Sequence, residues 1–311
     1  MSEFVREELR RSGPPRPTAL TIGNFDGVHR GHLHLIGHLI ELARARDLAS
    51  AVVTLYPDPV RVLRPDEPHH YLTSLEERIE LLQATGVDAV VPLSFTSELA
   101  ELSPEDFARL LSQEMAMRLL LMGPDNTFGR SRAATPPGMK ALGEALGFGV
   151  EVLPRSLDAA GASVSATAIR AALAAGDLAA VGRDLGRPYT LRGPVVRGDQ
   201  RGRLIGFPTA NLAVTADRAL PAFGVYATWA FVGETRYASA TNIGKRPTFE
   251  GERTTVETHI IDFEGDIYEK TLRIELVSRL RPEEKFAGVE ALKAQIERDV
   301  AAARRLLGPG G

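Results

Sequence analysis

The sequence predicts two domains: an α/β doubly wound parallel sheet, and after it a small antiparallel β-barrel with a C-terminal helix. The chain has 311 residues, and at roughly 150 residues per domain this length favours two domains. Short apolar segments alternate with helical patterns as far as about residue 186. From residue 189 onward, strand-like segments follow one another without helices between them. We therefore expect domains at residues 1–186 and 187–311.

The first domain is predicted from alternating strands and helices. Apolar runs rich in Val, Ile and Leu are typical of buried parallel strands, and they lie at residues 19–22, 51–55, 87–93, 119–122 and 150–153. Helical patterns cover residues 33–49, 74–86, 103–117, 139–146, 167–175 and 178–185. Ser74 and Glu77 form a capping box, and Ser103 precedes a proline as an N-cap does. Ligands of such sheets bind beyond the carboxyl ends of the strands.

The second domain is predicted from consecutive strands. They lie at residues 189–196, 224–232, 235–242, 254–263 and 271–280, and an amphipathic helix follows at 289–307. Apolar and polar residues alternate clearly from Val256 onward. Consecutive strands without crossover helices pair in antiparallel fashion, which indicates a small barrel.

Composition excludes several classes of function. The 37 basic and 40 acidic residues give a net charge of −3, so there is no positive excess for binding nucleic acid. The absence of cysteine excludes disulfides, thiolate zinc sites, iron–sulfur clusters and cysteine nucleophiles. No apolar stretch approaches the length of about eighteen residues that spans a membrane, and the charged start lacks the apolar core of a signal peptide. We expect a cytoplasmic protein without nucleic-acid or membrane partners.

The most informative segment, residues 23–32, reads Gly-Asn-Phe-Asp-Gly-Val-His-Arg-Gly-His between the first strand and the first helix. Glycines allow the backbone to approach a ligand, and a helix N-terminus offers N–H groups to phosphate. His29 and His32 are three residues apart, so they share one face of a helical turn. Two imidazoles there can stabilise charge during phosphoryl or nucleotidyl transfer.

Two other interpretations of this segment remain open. His34 and His38 follow it, and histidines four residues apart on a helix can bind zinc. The segment can also be a glycine-rich turn with surface histidines. The strand–turn–helix context favours a phosphate site over both.

The segment resembles the His-x-Gly-His nucleotidyltransferases, and specifically the N-terminal domain of the bacterial bifunctional riboflavin kinase/FMN adenylyltransferase family. Residues 123–129 and 164–170 resemble two further motifs of that family. The resemblance implies that His29 and His32 are catalytic and that Phe128 binds flavin. It also implies nucleotide or phosphate binding by Gly23, Phe25, Asp26, Gly27, Gly31, Asp125, Ser165, Thr167 and Arg170.

Three positions depart from the family pattern. Asp58 stands where the family usually has histidine, Asn126 replaces an aromatic residue, and Ala166 replaces a hydroxyl. An aspartate beside phosphate is repulsive unless a metal ion lies between them. These departures motivate an alternative, a riboflavin kinase whose first domain is weak or only binds nucleotide.

A second motif occupies residues 201–211, where Gly202 and Gly206, with Gly198 before them, can form a loop whose N–H groups surround phosphate. Thr209 and Asn211 are hard oxygen donors two residues apart, so on a strand they face one side, as Mg²⁺ ligands can. A plain turn between two strands is the simpler interpretation. A Walker-type phosphate loop is absent from the sequence.

This motif resembles the Gly-x-Pro-Thr-Ala-Asn signature of riboflavin kinase, and residues 241–249 and 256–260 resemble two more of its motifs. The resemblance implies that Glu257 is the general base, that Gly202 and Gly206 bind nucleotide, and that Thr209 and Asn211 bind metal. Residues 279–286, with Arg281, resemble a segment near the flavin. The implied reactions convert riboflavin and ATP to FMN, then FMN and ATP to FAD and pyrophosphate, with Mg²⁺ in both.

Two further functions compete with these reactions. A non-catalytic flavin or nucleotide sensor would use the same binding motifs without turnover. A tRNA-charging enzyme would also use a His-x-Gly-His-type turn, but the chain is short for that class and lacks a Lys-Met-Ser-Lys-Ser loop.

Overall fold

A computed structural model describes residues 3–127, 134–154, 164–198, 201–248 and 251–308. The chain divides into two compact units, Met1–Ala166 and Thr167–Gly311. The first contains a parallel α/β sheet and the second a closed antiparallel barrel with a C-terminal helix. The predicted fold class is therefore confirmed. Within the described ranges, no helix has both the length and the apolar character needed to cross a membrane.

The sheet of the first unit has five parallel strands in the order β3-β2-β1-β4-β5. They are β1 (Thr18–Gly23), β2 (Ala49–Tyr56), β3 (Ala89–Ser94), β4 (Met117–Met122) and β5 (Gly149–Val152). The chain moves outward from β1 to β3 and then returns to β4 on the other side of β1. The order therefore reverses between β1 and β4, which is where such sheets form a ligand crevice.

Helices cover both faces of this sheet. They are α1 (Glu3–Ser12), α2 (Arg30–Ala45), α3 (Pro59–Leu63), α4 (Leu75–Gln83), α5 (Ser97–Ala100), α6 (Pro104–Glu114) and α7 (Pro136–Leu146). Val53 and Phe107 belong to the core on one face, and Ile36 and Val52 belong to the core on the other. Burial on both faces explains the continuous apolar runs of the strands.

Local sequence signals set several helix starts. Ser74 and Glu77 exchange both hydrogen bonds of a capping box at the start of α4, as predicted. Ser103 accepts a hydrogen bond from the backbone of Asp106 and caps α6, also as predicted. Helices α1, α3 and α5 were not expected from the sequence. α1 buries only Val5 and Leu9, a stripe too narrow to mark a helix within its charged sequence.

The second unit begins with helices and continues as a closed barrel in the order β10-β7-β6-β11-β8-β9. Its elements are α8 (Ala166–Ala175), α9 (Leu178–Leu185), β6 (Tyr189–Val196), α10 (Arg201–Leu204), β7 (Ala210–Leu212), β8 (Gly224–Val232), β9 (Thr235–Thr248), β10 (Gly251–Ile260), β11 (Thr271–Pro282) and α11 (Val289–Leu307). The sequence predicts five of these strands. β7 has three residues, too few for a periodic pattern, yet it joins β6 to β10.

Helices α8 and α9 pack with the barrel. The backbone of Ala222 donates a hydrogen bond to the Leu173 carbonyl at 3.2 Å. Gly176, with φ of +79°, lies against the side chain of Arg279, and a Cβ there would be 3.3 Å from its Cδ. The expected boundary at residue 186 assigns both helices to the first domain, and that boundary stays a prediction.

A row of hydroxyls crosses the interior of the barrel. Thr228 on β8 lies 2.7 Å from the hydroxyls of both Ser239 and Thr241 on β9. Thr241 lies 3.0 Å from the hydroxyl of Thr258 on β10. All four residues are fully buried, so their hydroxyls bond to one another and, for Ser239, also to the Thr228 carbonyl at 2.7 Å. Because neighbouring strand residues alternate between faces, this row fixes Glu257, next to Thr258, on the outward face.

We expect Thr241→Val to lower the free energy of unfolding by about 1–3 kcal/mol, because it leaves the buried hydroxyls of Thr228 and Thr258 short of a partner. Urea unfolding measures the change. Thr235→Val, at an exposed site of the same strand, is the matched control and should change stability by less than about 0.5 kcal/mol. Equal effects of the two substitutions would contradict this role of the hydroxyl row.

Candidate active sites

The turn between β1 and α2 lies at the reversal point of the sheet and carries the first predicted site. Phe25 and Val28 adopt positive φ values of 51° and 41°, which are unfavourable for residues other than glycine. Their side chains are buried, with exposed fractions of 2% and 1%, and Gly27 between them has φ of 78°. Core packing of the two apolar side chains therefore holds the turn in its strained conformation.

His29 is the N-cap of α2. Its Nδ1 accepts a hydrogen bond from the backbone N–H of His32 at 3.3 Å. A backbone N–H can only donate, so the neutral His29 ring carries its proton on Nε2. A Cβ at Gly31 would lie 3.2 Å from the His29 ring, so glycine leaves space for the ring over the first turn of α2.

The two predicted catalytic imidazoles are stacked. The ring centroids of His29 and His32 are 3.6 Å apart with an interplanar angle of 17°, and Phe25 meets His32 edge-on at 5.0 Å. Burial, and then the positive charges of His29 and Arg78, lower the pKa of His32 well below its ordinary value of 6.5. His32 is therefore neutral near pH 7. Its buried Nδ1 has no hydrogen-bond partner among the described residues, so a bound ligand or water can provide one.

Asp26 attaches this turn to the segment before α4. Its carboxylate accepts hydrogen bonds from the backbone N–H groups of Leu72 and Thr73 at 3.0 and 3.1 Å, and Arg78 lies 3.4 Å away. Gly27 donates to the Thr73 hydroxyl at 3.1 Å. Asp26 is 3% exposed, so the structure gives it a positioning role in the turn. Its direct contact with phosphate stays a prediction.

Arg78 lies beneath the turn and is fully buried. One guanidinium nitrogen donates to the carbonyl oxygens of Asn24 and Leu55 at 2.7 and 3.3 Å, and two tyrosine rings lie within 6 Å of the guanidinium carbon. Sequence reasoning missed this residue. The available signal is its position four residues before Leu82 on the buried face of α4, where a charged side chain is unexpected.

Asp58, which replaces the usual family histidine, is the N-cap of α3 and is 4% exposed. Its carboxylate accepts hydrogen bonds from the backbone of Val60 at 2.9 Å and from the side chain of Asn24 at 2.8 Å. The Nε2 atom of His69 lies 3.4 Å from the same carboxylate. Two hydrogen-bond donors thus hold the carboxylate, and Asp58 supports the turn through Asn24.

The loop after β4 meets the end of β1. Asn126 donates from its side chain to the Ile22 carbonyl at 3.3 Å and from its backbone to the Gly123 carbonyl at 3.2 Å. The other family departure therefore connects the two strands that flank the crevice. Asp125 beside it is exposed, and Phe128 lies outside the described residues.

The remaining predicted residues of this site occur at the end of the first unit and the start of the second. Ser165 is half-buried, and the carbonyl of Val164 before it lies 3.6 Å from the position of a Cβ at Gly31. Thr167 and Arg170 lie in the first turns of α8, in the second unit. Their contact with a nucleotide stays a prediction.

The zinc interpretation gains no support. His34 is exposed and His38 is half-buried along α2. In the ranges that the structure describes, no group of three or more His, Cys, Asp or Glu side chains could hold a metal ion.

The second predicted site lies on the outward face of the barrel. Glu257 on β10 is paired across the strands with Asn211 on β7 and with Asn242 on β9. Residues directly opposite each other on antiparallel strands have Cβ atoms about 4.5–5.5 Å apart. All three side chains are half-buried, so the predicted base lies between two amides. Asn242 was not singled out as a site residue, because only the strand register places it there.

The glycine loop meets the two candidate metal ligands. A Cβ at Gly198 would overlap the side-chain amide of Asn211, and a Cβ at Gly202 would lie 3.5 Å from the Thr209 hydroxyl. Gly206 has φ of +90°, a conformation that glycine adopts readily. The structure therefore brings Gly198 next to Asn211 and Gly202 next to Thr209, whereas a Cβ at Gly206 would meet no atom within 4 Å.

This donor set suits a hard divalent cation. Thr209 offers a hydroxyl oxygen, Asn211 an amide oxygen and Glu257 a carboxylate, and such cations prefer oxygen ligands. Because Gly198 and Gly202 have no Cβ, their backbone lies close to the side chains of Asn211 and Thr209. The residues present therefore fit a metal–nucleotide complex.

Arg281 attaches α11 to the barrel. Its guanidinium donates to the Asp299 carboxylate at 2.8 and 3.0 Å, and the Phe286 ring centroid lies 5.5 Å from it. Asp299 is 6% exposed. This ion pair gives Arg281 a structural role, and its predicted contact with flavin stays a prediction.

The segment after β11 reaches the face that carries Glu257. A Cβ at Gly244 would overlap the carboxylate of Glu283. Gly244 lies two residues beyond Asn242 on β9, so both face the same side. The segment beside Arg281 therefore borders the second site.

Comparisons with known proteins match both units. Residues 185–307 match the family described as riboflavin kinase, and residues 12–168 match the family described as FAD synthetase. A bifunctional riboflavin kinase/FMN adenylyltransferase from Escherichia coli (strain K12) is 37% identical over 297 residues, which cover 95% of this chain and 94% of the relative. The protein of that name from Bacillus subtilis (strain 168) is 34% identical over 301 residues, covering 95% and 92%.

A solved structure matches along nearly the whole chain. It is described as a macrolide-efflux protein from Streptococcus pneumoniae, with a TM-score of 0.87 and 32% sequence identity. The match covers 95% of this chain and 96% of that one. Similarity in sequence and in fold thus extends over both units.

Stability should depend on pH through His32. The unfolded chain binds a proton at His32 below its ordinary pKa of 6.5, whereas the folded site binds one only at lower pH. The stabilisation is therefore complete above that value and is lost as pH falls toward the folded pKa, by about 1.4 kcal/mol per unit of pKa difference. Urea unfolding from about pH 7.5 to about pH 5 should show a steeper loss in the natural protein than in His32→Gln. Parallel curves would contradict this role.

Arg281→Met should lower the free energy of unfolding by about 3 kcal/mol, because it leaves the Asp299 carboxylate buried without its cation. The double variant Arg281→Met with Asp299→Leu should recover most of that loss, since no unpaired charge remains. Denaturant unfolding of the three proteins measures both changes. A double variant no more stable than the single one would show that the ion pair is not the source of the loss.

Proposed function

The chain belongs to the family of bifunctional riboflavin kinase/FMN adenylyltransferases, and we propose how its residues divide the two reactions between two sites. The enzyme transfers a phosphoryl group from ATP to riboflavin, which gives FMN. It also transfers the adenylyl group of ATP to FMN, which gives FAD and pyrophosphate. The observation that supports the assignment of residues best is the cross-strand pair of Glu257 and Asn211 beside the glycine loop.

In the kinase site, Glu257 is the general base. Its carboxylate accepts the proton of the 5′-hydroxyl of the ribityl chain as that oxygen forms a bond to the γ-phosphorus of ATP and the bond from that phosphorus to the oxygen of ADP breaks. Asn211 and Asn242 on either side hold the carboxylate in place. N–H groups of the loop with Gly202 and Gly206 contact the phosphates.

Thr209 and Asn211 would hold Mg²⁺ at this site through their oxygen atoms. Bound there, the ion would offset the negative charge of the phosphates. The close approach of Gly198 to Asn211 and of Gly202 to Thr209 supports the assignment, because the loop that would contact the phosphates lies next to the two metal ligands.

In the adenylyltransferase site, an FMN phosphate oxygen attacks the α-phosphorus of ATP, and the bond from that phosphorus to pyrophosphate breaks. No protein nucleophile takes part. His29, through Nε2–H, and neutral His32 donate hydrogen bonds to the oxygens that gain charge. The N–H groups at the start of α2 contribute positive potential.

Other residues hold the substrates of this reaction. Gly23, Gly27 and Gly31 let the backbone approach the nucleotide, and Ser165 binds its phosphates. Phe128 contacts the flavin in this site. Arg281 contacts the flavin in the kinase site. Asp26 and Phe25 act by keeping the turn in shape, which their burial supports.

A kinase with a weak or non-catalytic first domain is not favoured. The FAD synthetase family matches residues 12–168. Asp58 and Asn126, two of the departures that motivate this alternative, are hydrogen-bonded to the turn and to β1. A pure sensor and a tRNA-charging enzyme do not agree with the two families matched.

Riboflavin, FMN and ATP are thus the small molecules that the enzyme acts on. We place both reactions in the cytoplasm. The absence of cysteine from the chain supports a reducing compartment.

Glu257→Ala should abolish FMN formation from riboflavin, with a loss of at least about 100-fold, because no group remains to accept the hydroxyl proton. It should leave the conversion of supplied FMN to FAD unchanged. Chromatographic product analysis from riboflavin, and separately from FMN, measures the two rates. Glu257→Gln is the matched control for shape and should be as inactive as Glu257→Ala in the first reaction. Equal loss of both reactions in a folded variant would refute the separate sites.

A further inference from the structure

The imidazole of His259 is hydrogen-bonded next to the candidate metal ligands. His259 lies two residues beyond Glu257 on β10, and thus on the same face of that strand. Its Nδ1 is 2.8 Å from the carbonyl oxygen of Pro208. Pro208 immediately precedes Thr209, so the bond is made at the peptide group that leads into the first candidate ligand.

The chemistry of the two atoms fixes the direction of this bond. A carbonyl oxygen only accepts, so Nδ1 of His259 carries the hydrogen. The contact therefore fixes the position of the Pro208 carbonyl relative to β10.

The bond supplies support that the strand pairing lacks. The pairing of β7 with β10 consists of Asn211 with Glu257 and Ala210 with Thr258. Thr209 immediately precedes Ala210 and has no ladder pair with β10. The next residue of β10 is His259, and it reaches the loop by its side chain instead of by a ladder pair. The ring of Phe207 also meets the imidazole edge-on, with centroids 5.4 Å apart at 74°.

We propose that His259 is a positioning residue of the kinase site: its Nδ1–H bond to the Pro208 carbonyl fixes the backbone that carries Thr209, and through it the affinity for the metal–nucleotide complex. This inference rests on the proposed role of Thr209 and Asn211 as metal ligands. His259 itself contacts neither the substrate nor the reacting atoms in this scheme.

Replacing His259 by asparagine or by glutamine tests whether the hydrogen-bond donor must stand at the position of Nδ1. Asparagine places its amide nitrogen one bond from Cγ, as Nδ1 is placed in histidine. Glutamine places the nitrogen one bond further out, at the position of Nε2. The two side chains have the same polar group, so His259→Gln is the matched control for His259→Asn, and His259→Ala removes the donor.

The kinetic test uses the full-length enzyme. His259→Ala and His259→Gln should raise the KM for ATP in FMN formation about tenfold, and kcat should stay within about twofold. His259→Asn should restore the natural KM within about twofold. Adenylyl transfer to supplied FMN is the internal control and should be unchanged in all three variants, because that site is a different one. Equal KM values for His259→Asn and His259→Gln would overturn the proposal, as would a fall in kcat at constant KM.

Nucleotide binding without turnover gives a second readout. Calorimetric titration with ADP, with and without Mg²⁺, should show a Mg²⁺-dependent binding step that weakens about tenfold in His259→Ala and His259→Gln. That step should be unchanged in His259→Asn. The thermal unfolding midpoint should be unaltered in all three, because hydrogen bonds at exposed positions contribute little to stability. Weakening that is equal without Mg²⁺ would overturn the proposal.

Thr209→Ala separates the failure of this inference from the failure of the metal assignment. If Thr209→Ala leaves the Mg²⁺-dependent step intact, the metal assignment fails and this inference fails with it. If Thr209→Ala loses that step while the three His259 variants all match the natural protein, only the positioning role of His259 is refuted.

Discussion

The ion pair of buried Arg78 with Asp26 is the interaction on which the turn between β1 and α2, and with it the proposed adenylyltransferase site, depends. Arg78 pairs with Asp26 and donates to the carbonyl of Asn24, so one guanidinium contacts two residues in the first half of the loop that leads to His29. A charge buried this deeply persists only when it is paired and hydrogen-bonded. The conformation that satisfies it is the one in which Asp26 and the backbone beside it face inward. The stacked imidazoles of His29 and His32 then remain at the turn between β1 and α2.

In the proposed kinase site, strand pairing and not a buried ion pair positions the side chains. Strand register brings Asn211 and Asn242 to either side of Glu257, and a row of interior hydroxyls fixes which face of β10 is outward. Glycines at 198 and 202 leave space for the candidate metal ligands. A larger residue at 198 would displace the side chain of Asn211, and one at 202 would displace the backbone of Phe207, near Thr209. One site depends on a buried ion pair and the other on sheet geometry, which accords with two separate families in one chain.

Periodicity in the sequence predicts the fold class and most strands, because apolar spacing reports which face is buried. It does not predict β7, whose three residues are too short for a pattern, or α1, whose apolar stripe has two members. Motif residues such as His29 and Thr209 are visible because their neighbours in sequence are also their neighbours in space. Arg78 and Asn242 are not, since their partners come from distant segments. Asp58 illustrates the same limit: the side chain that donates to its carboxylate belongs to Asn24, 34 residues before it.

The shortness of β7 links ligand binding to the integrity of the barrel. This strand makes two pairs with β6 and two with β10, yet it alone joins them into a closed ring. It also carries Asn211. A ligand that Asn211 binds only in the closed ring would stabilise the closed form by mass action. It would act at the seam that has the fewest strand pairs among the described strands.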